Sequence, residues 1–198
     1  MITRRAAFLA GVSALLAIPA FASADFSWDF NTVITGDTPG GTAPWANLSG
    51  TQSGSDVSFV LTFNSFVGAG STTEFLKQLD LTYGGTIDGT QTLDTTDASI
   101  TGYTVGSFTD ASYHFDIKMD FETSNAGGGA NRVKPGDTVL FTINNVNADD
   151  FTFAMLHING TPGQAGSGKV APGAVPEPAS MAALGMGALG LLARRRRK

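Results

Sequence analysis

Tyr113-His114-Phe115-Asp116-Ile117-Lys118-Met119-Asp120-Phe121-Glu122 alternates apolar and polar residues over its whole length. In an extended backbone successive side chains point to opposite faces, so Tyr, Phe, Ile, Met and Phe share one side and the five polar residues the other. This predicts an antiparallel strand with one face on a core and one in water. The same period runs outward in both directions. Phe26, Trp28 and Phe30 alternate with Ser27, Asp29 and Asn31, and Val57, Phe59, Leu61 and Phe63 alternate with residues that include Ser58 and Thr62. Further strands are predicted at Leu79–Tyr83, Ile100–Phe108, Thr138–Asn144 and Asp150–Ile158, separated by turn-forming clusters such as Tyr83-Gly84-Gly85 and Asn125–Gly129.

Composition agrees with the period. Residues 25–174 hold 21 of the 25 glycines and 22 threonines. Thr and aromatic residues suit a pleated, half-buried surface, while so much Gly is incompatible with long helices. The expectation is an all-β chain with about seven to nine strands in a single antiparallel β-sandwich of jelly-roll or immunoglobulin-like topology. Ser71-Thr72-Thr73-Glu74 before Phe75-Leu76 has the spacing of a capping box and predicts one short helical turn. From Gly160 to Ala174 the chain is rich in Gly, Pro and Ser and reads as a linker. The domain is therefore bounded at 25–159 and the linker at 160–174. No internal repeat is visible.

The chain has 198 residues and no Cys. It is too short for a barrel enzyme with an outer ring of helices. Without Cys there is no disulfide framework, thiolate nucleophile, Cys-ligated metal or lipoprotein acylation site. The formal net charge of -5 conceals a sharp asymmetry, because seven of the 12 basic residues lie in the two ends. Residues 25–174 keep Lys77, Lys118, Arg132, Lys134 and Lys169 against 16 of the 17 acidic residues, a balance of -11. Such a surface repels phosphate backbones, so a nucleic-acid partner is excluded.

The two ends read as addresses. Arg4 and Arg5 precede an apolar run from Ala6 to Ala17 and then Ala20-Phe21-Ala22-Ser23-Ala24, the layout of an export signal peptide over residues 1–24. Either Ala20-Phe21-Ala22 or Ala22-Ser23-Ala24 offers the small residues of a cleavage site, and the acidic, polar start at Asp25 favours the second, with Ala22 and Ala24 before the cut and Asp25 as the first mature residue. Signal peptidase and the export machinery are the expected partners; the Arg pair fits ordinary n-region charge better than a twin-arginine signal. At the other end, Val175-Pro176-Glu177-Pro178 is followed by an uncharged run from Met181 to Ala193 and by Arg194, Arg195, Arg196, Arg197 and Lys198. The prolines hold Glu177 in an extended, accessible backbone. As an apolar helix, residues 179–193 would span ~22 Å, short of a ~30 Å hydrocarbon core. The five terminal cations act as a stop-transfer cluster that stays cytoplasmic while the rest lies outside.

Residues 175–198 resemble the PEP-CTERM sorting signal of Gram-negative bacteria, with the Pro-Glu-Pro motif, the Gly-containing apolar transmembrane helix and the Arg cluster in the family's order. The resemblance implies recognition by an exosortase, transient membrane anchoring, cleavage near Pro176-Glu177-Pro178, and delivery of the mature protein to the cell surface or exterior. It also implies a host that makes exopolysaccharide, and hence a biofilm setting.

The middle offers little that points to catalysis. His114 and His157 both fall in strand patterns, and no Gly-x-Ser-x-Gly turn frames a nucleophile. Asp120 and Glu122, two residues apart on one strand face, are ~6.6 Å apart along the backbone, a separation seen in glycoside-hydrolysing carboxylate pairs. With Lys118 between Asp116 and Asp120, the wet face of a strand is the simpler reading. No cofactor is expected, and calcium is the one ion considered. Its candidate ligands are Asn144, Asn147, Asp149 and Asp150, in a stretch that lacks the spacing of a known calcium loop; Asp88, Asp94 and Asp97 form a second stretch. Trp45 and Trp28 are expected in the core. The sequence thus predicts an exported, exosortase-processed, non-enzymatic surface or matrix protein with a structural or adhesive role in contact with exopolysaccharide. A calcium-dependent glycan-binding module is the alternative, and a polysaccharide-modifying enzyme comes third.

Overall fold

The computed structural model describes residues 25–64 and 73–173. These residues form ten strands: β1 (Phe26–Gly36), β2 (Ala46–Ser53), β3 (Asp56–Phe63), β4 (Phe75–Tyr83), β5 (Leu93–Asp94), β6 (Ile100–Asp110), β7 (Tyr113–Phe121), β8 (Thr138–Ile143), β9 (Phe151–Asn159) and β10 (Ser167–Pro172). All pair antiparallel in one sheet of order β5-β8-β3-β2-β1-β10-β9-β4-β7-β6. The fold is all-β, as the alternation predicts. In β7 the predicted inner residues Ile117, Met119 and Phe121 join the core, Phe115 is buried against Phe108 and Phe153, and Tyr113, predicted on the same face, is 41% exposed; in β3 Val57, Phe59, Leu61 and Phe63 are all buried. Each large apolar side chain removed from water in this way contributes about 1.5–3 kcal/mol.

The sheet rolls over on itself. β1 pairs with β2 through Phe26–Phe30 and with β10 through Phe30–Gly36, and two register shifts interrupt the second ladder. Irregularities of this kind bend a strand and raise its twist, so β1 carries the sheet from one half to the other. The consequence is visible in the rings. Phe59 of β3 and Phe151 of β9 stand four places apart in the strand order, yet their centroids are 5.2 Å apart in an edge-on contact, with Phe26 and Tyr83 also against Phe151. The two ends of the sheet, β5 and β6, are separated by residues 95–99 alone. The result is a nearly closed, barrel-like sheet around one core that includes Trp28, Trp45, Phe59, Leu61, Leu79, Leu81, Ile117 and Leu156.

Three sequence expectations change. Ten strands form one rolled sheet where the sequence predicts seven to nine in a sandwich. Residues 167–172, inside the expected linker, form β10 in the middle of the sheet, paired with β1 on one side and β9 on the other, with Val170 and Ala171 buried. The domain therefore runs through Pro172, past the expected boundary at residue 159. The glycines that suggested flexibility serve close approach. A Cβ on Gly168 would stand 2.0 Å from the Asp37 carbonyl oxygen, and one on Gly163 would stand 2.2 Å from the Asp37 carboxylate. The helical turn expected from the capping box does not follow Glu74 either, because Phe75 opens β4. Ser71 and Thr72 lie outside the described residues, as do the segments expected to be a signal peptide (1–24) and an apolar helix (179–193).

Candidate functional site

Of the residues that the sequence singles out, Ala22, Ala24, Val175, Pro176, Glu177, Pro178 and Arg194–Lys198 lie outside the described residues. The calcium candidates fall on the turn between β8 and β9. There the amide side chains act on the chain itself. The Asn144 Nδ2 donates to Thr92 Oγ1 at 3.0 Å, and the Asn147 Oδ1 accepts from the Asp149 amide at 3.4 Å, capping a 3-10 turn over Ala148–Asp150. Asp88 in the second stretch accepts from the Thr90 hydroxyl and amide and from Gln91 Nε2; the Thr90 hydroxyl bond, then its amide, hold this carboxyl below its ordinary value. Asp97 accepts from the Ser99 amide. Among the described residues no group of three or more His, Asp or Glu is arranged to hold a metal ion. Asp120 is ion-paired with Lys118 at 3.5 Å, Glu122 accepts from the Ser124 amide, and His114 is 3.2 Å from Asp116. The polar face of β7 is thus occupied by local pairs. Trp45 and Trp28 are in the core.

Three arrangements emerge only from the folded chain. The first lies under the tip of the β6–β7 hairpin. Asp110, at the end of β6, is ion-paired with Lys169 of β10 although β7, β4 and β9 intervene in the sheet. Phe108 stacks on Phe115, and Phe115 and Tyr113 stack on Phe153 of β9. The hairpin tip therefore folds across the outer face of β4, β9 and β10 and buries what would otherwise be its wet side. Asp80 is 1% exposed there and accepts from Gln78 Nε2 at 2.7 and 2.9 Å. Burial pushes its carboxyl up to about 7, against the Gln78 bond, with the nearby Asp110 carboxylate adding to the rise. His157, paired with Gln78 and Lys169 in the ladders, is pushed down to about 4 by burial and then by Lys77 and Lys169. Leu79-Asp80-Leu81 reads as an ordinary in-out-in strand in the sequence. Only the hairpin that covers it makes the middle residue unusual.

The second is an open cleft of ≈ 290 Å³ beside the β7–β8 connection, lined by Glu74, Phe75, Asn125, Arg132 and Lys134 among others. Glu74 is completely buried; its Oε1 accepts from the Gly40 amide at 2.9 Å and its Oε2 has no partner. Burial pushes this carboxyl up, and the Gly40 bond opposes the shift. Arg132 lies over the Phe75 ring, 4.0 Å from its centroid, and its Nε donates to the Thr123 carbonyl at 3.0 Å.

The third is the outer face of β1, β2, β3 and β8. Register sets it out as rows: Asp29, Asn47, Thr62 and Thr138; Ser27, Ser49, Val60 and Leu140; Thr51, Ser58 and Thr142. Asn47 Nδ2 donates to Ser27 Oγ and Asp29 Oδ1, and the hydroxyl pairs Ser58/Thr142 and Thr62/Thr138 are each 3.3 Å apart. In this hydroxyl and amide grid Leu140 is 59% and Val60 39% exposed. Charge is nearly absent from it.

Residues 174–198 match the family model of the PEP-CTERM protein-sorting motif. The chain carries a PEP-CTERM sorting signal. The motif implies an exosortase as processing partner, export, and transient membrane anchoring before surface display. It begins two residues after β10 ends at Pro172. No curated protein matches the chain, and no solved structure does. The β domain that precedes the PEP-CTERM signal is accordingly read from its own geometry.

Proposed function

We propose that this is an exported, exosortase-processed surface or matrix protein whose β domain has a structural, adhesive role in contact with exopolysaccharide, without catalysis. One observation carries the reading: the sorting signal is continuous with an interior strand. β10 is held by ladders on both sides, to β1 over Phe30–Gly36 and to β9 over Leu156–Asn159, and only Gly173 separates Pro172 from the motif. Force applied through the tail enters a strand whose extraction breaks two ladders together, which suits a domain that must stay folded while tethered.

The grid around Val60 and Leu140 supports contact with a polysaccharide. Sugar rings present C–H faces edged by hydroxyls, and an apolar pair set among Ser, Thr and Asn groups complements both. The test takes the full chain expressed in its host. Pro176→Ala with Glu177→Ala should leave the tail unprocessed and the protein in the membrane fraction, and unaltered processing would remove exosortase from the account. Co-sedimentation of the wild-type chain with the host's exopolysaccharide should exceed that of Leu140→Asp, and equal retention would remove this face from the account.

A further inference from the structure

The cluster under the β6–β7 hairpin brings together three groups with complementary chemistry. Lys169 of β10 touches Asp110 through its Nζ and the Asp110 Oδ1, and the two side chains keep only 19% and 23% of their exposure. Asp80 stands beside them. Ladder register sets Lys169 against His157 and His157 against Gln78 on one face, and Gln78 Nε2 holds both oxygens of Asp80, two residues further along β4. The Asp110 carboxyl is within hydrogen-bonding reach of Asp80, and burial, which pushes Asp80 up to about 7, leaves it a proton to donate there.

An amine, a carboxyl and a neutral acid at one point are the components of an amide-forming site. In open water the amine and carboxyl stay an ion pair, because both charges are well solvated and meet too seldom in the uncharged form. Neither condition holds under the hairpin. The stacked rings of Phe108, Phe115 and Phe153 pack beneath the same tip and limit its water, which favours passing the ammonium proton to the carboxylate. Fixed geometry replaces concentration, and well-oriented intramolecular pairs react as if at about 10⁵–10⁸ M.

We propose that Lys169 and Asp110 condense to an isopeptide bond, with Asp80 as the catalytic residue that moves the protons. The ammonium proton passes first to Asp110, leaving a neutral amine and a neutral acid. Nζ attacks the Asp110 Cγ while Asp80 protonates the carbonyl oxygen and then takes a proton from Nζ. One Cγ–Oδ bond breaks as Asp80 protonates the departing hydroxyl, which leaves as water, and Asp80 recovers its proton from the oxygen that remains. A C–N bond replaces a C–O bond and nothing is oxidised or reduced. Until the bond forms, the ion pair stands and Asp80 and His157 titrate as separate groups, so the freshly folded chain carries the pH behaviour of the cluster.

The bond would tie β10, the last strand before the sorting signal, to the hairpin across β9, β4 and β7. It gives a chain without Cys a covalent cross-link that no disulfide can supply. The inference stands on this cluster alone and holds whether or not the domain touches polysaccharide.

The test is intact-mass spectrometry of the full chain expressed in its host, denatured after recovery, with its ends fixed by peptide sequencing. The wild type should be lighter than its sequence by one water. Trypsin should then fail to cut after Lys169 and should release a branched peptide joining segment 78–118 to that lysine. Lys169→Arg should keep its full mass. Asp110→Asn should expel ammonia in place of water and give a product of the same mass as the wild-type product. Asp80→Asn should slow bond formation after refolding at least tenfold. A wild-type chain of full mass would overturn the proposal. So would a water loss that persists in Lys169→Arg, which would place the dehydration elsewhere in the chain. An unchanged rate in Asp80→Asn would overturn the role given to that residue.

Discussion

The Lys169 ammonium meets the Asp110 carboxylate across the outer face of the sheet, joining β10 to the tip of the β6–β7 hairpin over three intervening strands. This contact holds the cover over Asp80, and the cover explains why one carboxyl and one imidazole depart so far from their ordinary values.

Stability against pH should expose two opposed contributions. Asp80 has a folded value of about 7 against 3.8 when exposed, so its share of stability is complete in acid and is lost as pH rises between these values. His157 has a folded value of about 4 against 6.5, so its share is complete above 6.5 and is lost as pH falls toward 4. Between about pH 4.5 and 6.5 the two slopes oppose each other. Asp80→Asn should raise stability by about 1–3 kcal/mol near pH 8 and unmask a decline toward acid. Urea unfolding at several pH values measures both, and a variant no more stable than wild type near pH 8 would contradict the burial argument.

The hairpin turn is built from strained residues. Ala111 and Ser112 have φ of 47° and 70° between the paired residues Asp110 and Tyr113, a two-residue turn that Asn and Gly fill with less strain. Ala111→Asn with Ser112→Gly should stabilise the protein by about 1 kcal/mol, read as an increase in the denaturation midpoint at unchanged slope.

Glycines of different kinds should respond differently. Gly168→Ala drives a methyl group into the Asp37 backbone and should cost about 2–4 kcal/mol, while Gly54→Ala, at φ +66° with nothing within 4 Å, should cost about 1–2 kcal/mol. Thermal unfolding of both variants checks the order. Equal losses would mean that β10 is not tightly seated.

The two faces of β3 and β8 should separate stability from function. Phe59 is stacked 4.8 Å from Phe141 and is fully inside, so Phe59→Ala should cost about 3–5 kcal/mol. Leu140 is 59% exposed, and Leu140→Ala should change stability by less than about 0.5 kcal/mol while reducing retention on exopolysaccharide.

The sequence by itself determined the strand class, the inward faces and the sorting tail. The alternation in Tyr113–Glu122 states which side chains share a face because the period of an extended backbone is two wherever it lies. The tail is legible for a similar reason, since its proline motif, apolar run and cation cluster act through local order along the chain. Tertiary structure alone decided the rest. Gly163 and Gly168 look like linker residues until the Asp37 backbone and carboxylate are placed against them, and β10 gains its place from backbone ladders that leave little trace in side-chain pattern. Asp80 has the sequence context of a wet strand position, and a hairpin remote in the strand order removes its water. Glu74, Arg132 and Lys134 meet at one cleft although 58 residues separate the first two, which no local spacing encodes. Patterns that repeat along the chain are fixed by covalent geometry, whereas burial, pairing and partner shortage depend on which distant segments the rolled sheet brings together.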